Sequence, residues 1–265
     1  MALRLERDGD VLKVTLARAE RRNALTVAML AELERVADAL AADAEVRAVV
    51  LMADGPDFSV GMDIGAMEGG AMEAGAGGER PALGVLRRMA RQGARTLRAW
   101  LEVDQPVVCA MRGVATGGGA CLASVADFRV AAPDARLGYG EVRLGIPLMW
   151  NAIAPLLALT GPARAKRLVL TGALLGAETL ARWGLVDEVA DDPEGRALAL
   201  ARELAALPPV AVQMAKRSIN ALAHALGGAV LHADADQWLL ATLTADHREA
   251  LAAFREKRAG RFEGR

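Results

Sequence analysis

The sequence predicts an α/β core followed by a helical tail. Three observations carry this. Short apolar, β-branched runs alternate with stretches of helical periodicity as far as Val189. After Asp192-Pro193 only helical spacing remains. The chain is 53% hydrophobic but only 3% aromatic, and much of its apolar content is Ala, which favours closely packed helices.

Leu3–Arg7 and Val11–Leu16 read as two strands joined by a tight turn at Asp8-Gly9-Asp10. Thr26 is placed to cap a helix over Val27–Ala42, and Val46–Met52 reads as a buried strand. Glu68–Arg80 is Gly- and Ala-rich without periodicity, so mobility is expected there. Two readings stand for it: a lid over a pocket, or a surface insertion. A helix over Pro81–Leu101 starts with Pro in its first turn. Val107–Met111 is a strand, Ala120–Val125 a short helix and Phe128–Ala131 a strand. Ala152–Leu159, Pro162–Leu170 and Ala177–Trp183 follow as helices, and Leu185–Val189 as a last strand. Helices over Glu194–Leu207, Val210–Leu226, Ala229–Ala245 and Asp246–Lys257 complete the chain. The expected division is residues 1–192 as core and 193–265 as a helical region that packs on the core or on another subunit.

Lys and Arg number 32 against 33 Asp and Glu, a net charge of −1. That balance argues against a dedicated nucleic-acid binder, while leaving room for a local basic pocket. Cys109 and Cys121 make neither a disulfide framework nor metal-ligand spacing, and the three histidines lie late in the chain. No metal site is therefore expected. The charged N-terminus does not read as a secretory signal, and no uncharged apolar run reaches the roughly 18 residues of a membrane span. A soluble cytoplasmic protein, with no membrane partner, is expected.

Two segments carry candidate chemistry. In Gly55–Ile64, Gly61 permits a turn that leaves the Met62 N–H pointing into a cavity. In Val107–Asp127 a strand enters Gly117-Gly118-Gly119 and a short helix leaves. Unpaired N–H groups at a helix start suit a phosphate or a developing oxyanion, although close packing alone also explains three glycines. The segment is neither a dinucleotide fingerprint nor a phosphate loop.

Taken together, Arg22-Asn23-Ala24-Leu25, the FSVGMDI run ending at Ile64, the ATGGGACL run, the LGYGEVRLGIP run and the closing Ala253–Arg258 run with Phe262 resemble the crotonase superfamily, the enoyl-CoA hydratase/isomerase family. The likeness extends from about Leu3 to Phe262. It implies a spiral of ββα units with a C-terminal helical region that mediates trimerisation, as a homotrimer or a dimer of trimers. It implies an acyl-CoA thioester as substrate, so that coenzyme A arrives with the substrate and no resident cofactor is needed. The thioester oxygen would rest on the N–H groups of Met62 and Gly118. The CoA nucleotide would lie along Arg22, Ala24, Val60, Asp63 and Ile64, with Arg22 near a phosphate, and Phe254 and Lys257 would reach the CoA of a neighbouring subunit. For Arg22 and Lys257 a solvated surface charge, and for Phe254 helix packing, are equally good readings.

Glu141 occupies the family's catalytic glutamate position, where an apolar pocket would raise its pKa into the range useful for proton exchange. Cys121 is the departure: hydratases of the family carry a second glutamate there. A buried thiol is a poor substitute, so Cys121 reads as a small packing residue. One glutamate resembles the family's Δ3,Δ2-enoyl-CoA isomerases, and so does the Leu144–Trp150 stretch, where Met149 and Trp150 either wall an acyl pocket or pack the core. Isomerisation is therefore preferred over hydration. Decarboxylation and dehalogenation rank lower, since Asp127 is poorly placed as a nucleophile and no histidine precedes residue 224. A non-catalytic acyl-CoA binder is the alternative from another class.

Overall fold

The computed structural model describes residues 2–63, 82–225 and 233–265. Ile64 and the Glu68–Arg80 segment lie outside the described residues. Strands β1 (Leu3–Asp8) and β2 (Val11–Leu16) form the expected hairpin, antiparallel and in register from Leu3↔Leu16 to Asp8↔Val11. Helix α1 (Val27–Leu40) begins where Thr26 Oγ1 accepts the Met29 N–H at 3.2 Å. Its buried face is Met29, Leu30, Leu33, Val36, Ala37 and Leu40, the i, i+3/i+4 stripe of an amphipathic helix. Next come β3 (Ala48–Ala53), α2 (Leu83–Glu102), β4 (Val107–Met111), β5 (Val114–Thr116) and α3 (Gly118–Ser124). β6 (Phe128–Ala131), β7 (Arg136–Gly138) and a 3-10 turn at Glu141–Leu144 lead into α4 (Ile153–Thr171). Gly161 (φ 72°) breaks α4 just before Pro162, at the division the sequence implies. β8 (Leu175–Gly176), α5 (Ala177–Trp183), β9 (Glu188–Val189), α6 (Pro193–Ala205), α7 (Pro209–Ala223), α8 (Asp234–Leu243) and α9 (Ala245–Glu256) complete the order.

The main sheet runs β1-β2-β3-β4-β6-β9, parallel except for β1–β2. Its central strands are buried on both faces, so they read as continuous apolar runs. Val49, Leu51, Val107 and Cys109 join a core with α1 and with Leu97 and Trp100 of α2. The alternate positions Ala48, Val50, Val108 and Ala110 meet Ala197, Ala201 and Ala205 of α6. The sheet's second core thus draws on a helix beyond Asp192-Pro193. Replacing Leu51 by Ala would cost about 2–5 kcal/mol of stability.

A second, small sheet, β5-β7-β8, was not expected from the sequence. Its strands are two or three residues long and end in glycine or run into it, so neither period nor propensity marks them. Two further differences have simple causes. The short helix starts at Gly118, not Ala120, because the glycines themselves form its first turn. In the predicted strand Leu185–Val189 only Glu188 and Val189 pair with β6, since the N–H groups of Leu185 and Val186 bond back to the carbonyl of Leu180 within α5.

Candidate active site

Four parallel segments aim their C-terminal ends at one place. Leu25 bridges Met62, Ser59 bridges Ala115, and β5 pairs with β7 so that Thr116 lies beside Gly138. The residues that follow these pairings, Gly117-Gly118 after β5 and Glu141 after β7, therefore emerge side by side. Ligand sites in α/β folds favour the carboxyl ends of strands.

Buried polar groups hold the first two segments. Asn23 is fully buried at φ 53°; its Oδ1 accepts the Arg18 N–H (2.9 Å) and its Nδ2 donates to the carbonyls of Asp54 and Asp57 (2.8 Å each). Ser59 Oγ donates to the Asn23 carbonyl (2.7 Å) and accepts the Gly61 N–H (3.2 Å). In the Leu25–Met62 bridge the Leu25 N–H donates to the Gly61 carbonyl (2.7 Å) and the Asp63 N–H to the Leu25 carbonyl (2.8 Å). In a parallel bridge of this kind the N–H of Met62 itself faces away from Leu25.

Gly61 presses on the glycine segment. A Cβ there would lie 2.8 Å from the Thr116 carbonyl oxygen and 3.3 Å from the Gly118 nitrogen. Gly117 adopts φ 53°, ψ −125°, a conformation reserved for glycine. A Cβ on it would come 3.5 Å from Glu141 Oε1, so its bare edge faces the carboxyl group. Gly118 opens α3, where an N–H has no helical acceptor. Among the described residues, neither the Met62 nor the Gly118 N–H finds an acceptor.

Glu141 starts its 3-10 turn with Oε2 enclosed and unpartnered among the described residues. Burial pushes its pKa up to about 7, opposed only by its own backbone N–H. Cys121 lies one turn into α3 among Ala120, Leu122 and Ala123, all buried. Burial, and then the charge of Glu141, push its thiol well above the ordinary range, so it stays protonated. Behind it, Tyr139 and Ser124 share a buried hydrogen bond, and Ser124 Oγ donates to the Ala120 carbonyl (2.8 Å). Two unpaired N–H donors beside a carboxyl group that exchanges its proton near neutrality suit a reaction in which an oxygen becomes anionic while a proton moves.

The pattern of this chain matches the family model described as Enoyl-CoA hydratase/isomerase over residues 6–265. The chain belongs to the enoyl-CoA hydratase/isomerase family. It is 32% identical to a short-chain-enoyl-CoA hydratase of Clostridium acetobutylicum, over 96% of this chain and 94% of that one. It is also 32% identical to a 1,2-epoxyphenylacetyl-CoA isomerase of Escherichia coli, over 96% and 95%. The crystal structure of an enoyl-CoA hydratase/isomerase from Pseudoalteromonas atlantica superposes with a TM-score of 0.86 at 28% identity, covering 99% of this chain and 100% of that one. The crotonase fold expected from the motifs is thus the fold observed.

Within this family member the remaining predicted residues fall into two groups. Arg22, Ala24, Val60 and Asp63 lie along the paired loops. The Arg22 carbonyl accepts the Val60 N–H (3.2 Å), the Ala24 carbonyl accepts from Arg18 (2.6 Å), and Asp63 pairs with Arg18 (3.3 Å). The Arg22 guanidinium donates to Asp57 (2.7 Å), which also accepts the Val114 N–H (2.8 Å). Burial opposes the Asp57 charge, but these donors outweigh it and hold its carboxyl below the usual range. Phe254 and Lys257, by contrast, are exposed at the end of α9, with Lys257 in the left-handed cap. The structure does not bring them to Glu141 within one chain. Asp127 accepts the Val107 N–H (2.7 Å) and pairs with Lys216 (2.6 Å), which ties it to structure.

Sequence reasoning missed Ser59, Asp57 and Asp234 as organisers. Asp234 Oδ2 accepts the Asn151 N–H at 2.7 Å, and burial raises its pKa. Apart from the Gly61 N–H that Ser59 accepts, their partners lie tens of residues away, beyond the reach of local sequence signals. No single helix among the described residues is long and apolar enough to cross a membrane.

Proposed function

We propose that this family member moves protons on an enoyl-CoA thioester and that its preferred reaction converts 3-enoyl-CoA to 2-trans-enoyl-CoA. The observation that carries this reading is the lone Glu141 carboxyl, enclosed and near-neutral, with a protonated thiol where a second carboxylate would serve hydration. The Glu141 carboxylate takes a proton from C2. The electron pair spreads through the C3–C4 double bond and the thioester carbonyl, whose oxygen is held by the N–H groups of Met62 and Gly118. The same proton returns at C4, leaving a double bond between C2 and C3. Each fixed donor is worth about 10²–10³ in rate, because it stabilises the enolate without reorganising. Water would divert the intermediate, and the apolar flank around Cys121 supports its exclusion.

The CoA nucleotide lies along Arg22, Ala24, Val60, Asp63 and Ile64 in this reading. Phe254 and Lys257 serve the neighbouring subunit of a homotrimer or dimer of trimers. The exposed large apolar side chains Val210, Met214, Ile219 and Leu222 of α7 support such an assembly, since burying them against another subunit would remove apolar surface from water. Coenzyme A enters and leaves with the substrate.

Hydration of 2-trans-enoyl-CoA is the second reading. Several relatives at 30–32% identity are named hydratases, and Asp234 is a second carboxyl whose charge reaches Cys121. Purified protein assayed against 3-enoyl-CoA and 2-trans-enoyl-CoA thioesters separates the two. Double-bond shift lost in Glu141→Gln supports the first; robust water addition to crotonyl-CoA by the unaltered protein establishes the second. Binding without turnover of either, unaffected by Glu141→Gln, identifies an acyl-CoA binder.

A further inference from the structure

Trp150 is the most unusual residue near the site. It sits in the left-handed region (φ 63°), and Asn151 follows it there (φ 60°). A bulky residue at such an angle persists only where its surroundings fix it. Two contacts do so. The Asn151 N–H is held by Asp234 on α8 (2.7 Å). The indole occupies a slot between two glycines from different helices. A Cβ on Gly93 of α2 would lie 2.0 Å from Trp150 Cε2, and one on Gly118 would lie 2.6 Å from Cη2 and Cζ3. No side chain is tolerated at either position while the ring is in place.

The indole therefore rests on Gly118, the residue that carries one of the two unpaired N–H groups. It also lines a cleft of about 1090 Å³ between α1, α2, α4 and α7. Its lining includes the small or apolar Ala37, Ala94, Leu97, Ala154 and Pro155 on α1, α2 and α4; on the α7 side it is polar, with Lys216 held by Asp127 and with His224, while Arg98 and Arg217 are largely exposed.

We infer that Trp150 is the partition between the acyl site and this cleft and sets the upper limit on acyl-chain length. This rests on the acyl-CoA reading above. With the indole seated, a short or compact acyl group fits beside Gly118 and the cleft stays out of reach. With a small residue at 150, an unbranched tail runs past Gly118 into the apolar lining between Ala94 and Ala154. Each methylene newly buried there is worth roughly fourfold in binding. Trp150 and the two glycines form one device, since the indole is seated only because both positions lack a Cβ.

The experiment compares kcat/KM on four-, eight- and twelve-carbon enoyl-CoA thioesters for the unaltered protein, Trp150→Ala and Trp150→Leu. The unaltered protein is expected to favour the four-carbon substrate. Both variants should raise the ratio of twelve- to four-carbon activity at least about tenfold, mainly through KM. Trp150→Leu keeps part of the slot filled and serves if Trp150→Ala fails to fold. Adding Ala94→Leu to Trp150→Leu should narrow the passage between Ala94 and Ala154 and return the chain-length ratio toward that of the unaltered protein. An unaltered protein that already prefers twelve carbons, or folded variants whose chain-length ratio stays within threefold, overturns the inference. Absence of turnover on every chain length by the unaltered protein instead defeats the acyl-CoA reading itself.

Discussion

Glu141 and Cys121 occupy two regions of one site, yet burial does opposite things to them. Glu141 follows a three-residue strand and keeps one carboxyl oxygen near the bare edge of Gly117. Cys121 sits inside a fully buried helix turn. Desolvation penalises the charged form of both. It moves the carboxyl from far below neutrality to about 7, where it exchanges protons readily, and moves the thiol away from neutrality altogether. One physical cause therefore brings one group into the range of proton exchange near neutrality and takes the other out of it. The group's ordinary pKa decides which.

The strongest way to break this comparison is to remove the reactive side. Glu141→Gln keeps the shape of the side chain and should lower kcat/KM by about 10²–10⁴, with the melting curve retained or shifted upward. Activity within tenfold of the parent would transfer the acid/base role elsewhere.

The pH dependence comes next. The base must be ionised, so kcat/KM should rise through about pH 7 and level off above it. The folded-state pKa of this acid lies above its unfolded value of 4.5. The folded chain then binds more protons between the two values, and stability falls as pH rises from about 4.5 to 7, by at most about 3 kcal/mol. Below that window the contribution is complete. Denaturation midpoints measured across this range should lose that slope in Glu141→Gln.

Cys121→Glu tests the inert side. A carboxyl group among Ala120, Leu122 and Ala123 should destabilise the fold by about 1–3 kcal/mol and raise the Glu141 pKa further by like-charge repulsion. Gain of water addition to crotonyl-CoA in this variant would sharpen the role assigned to the position. Cys121→Ala is the mildest change: a rate within about threefold and a stability loss of about 1 kcal/mol are expected. A larger rate loss would show the thiol to be chemically engaged.

Much of the outer fold was legible in the sequence because its signals are local. Thr26 announces α1, Asp8-Gly9-Asp10 announces the hairpin, and Gly161-Pro162 divides α4. The residues Glu141, Met62 and Gly118 were legible only through the order of several motifs. What joins them was not. The strands β5 and β7 are too short to carry a period, and the Thr116↔Gly138 register that sets Glu141 beside Gly117 is a long-range pairing. The same holds for Asn23 and Asp57, whose partners lie some 30 to 60 residues away. Trp150 shows the limit most clearly, because its slot needs glycines from two distant helices.

The small β5-β7-β8 sheet has one further consequence. With so few backbone pairings, it cannot survive in part. If the Ser59–Ala115 bridge or the Thr116–Gly138 pairing opens, the Met62 and Gly118 amides and the Glu141 carboxyl separate together. On the proposed function, loosening this centre should therefore lower the fraction of competent molecules more than the rate of each one.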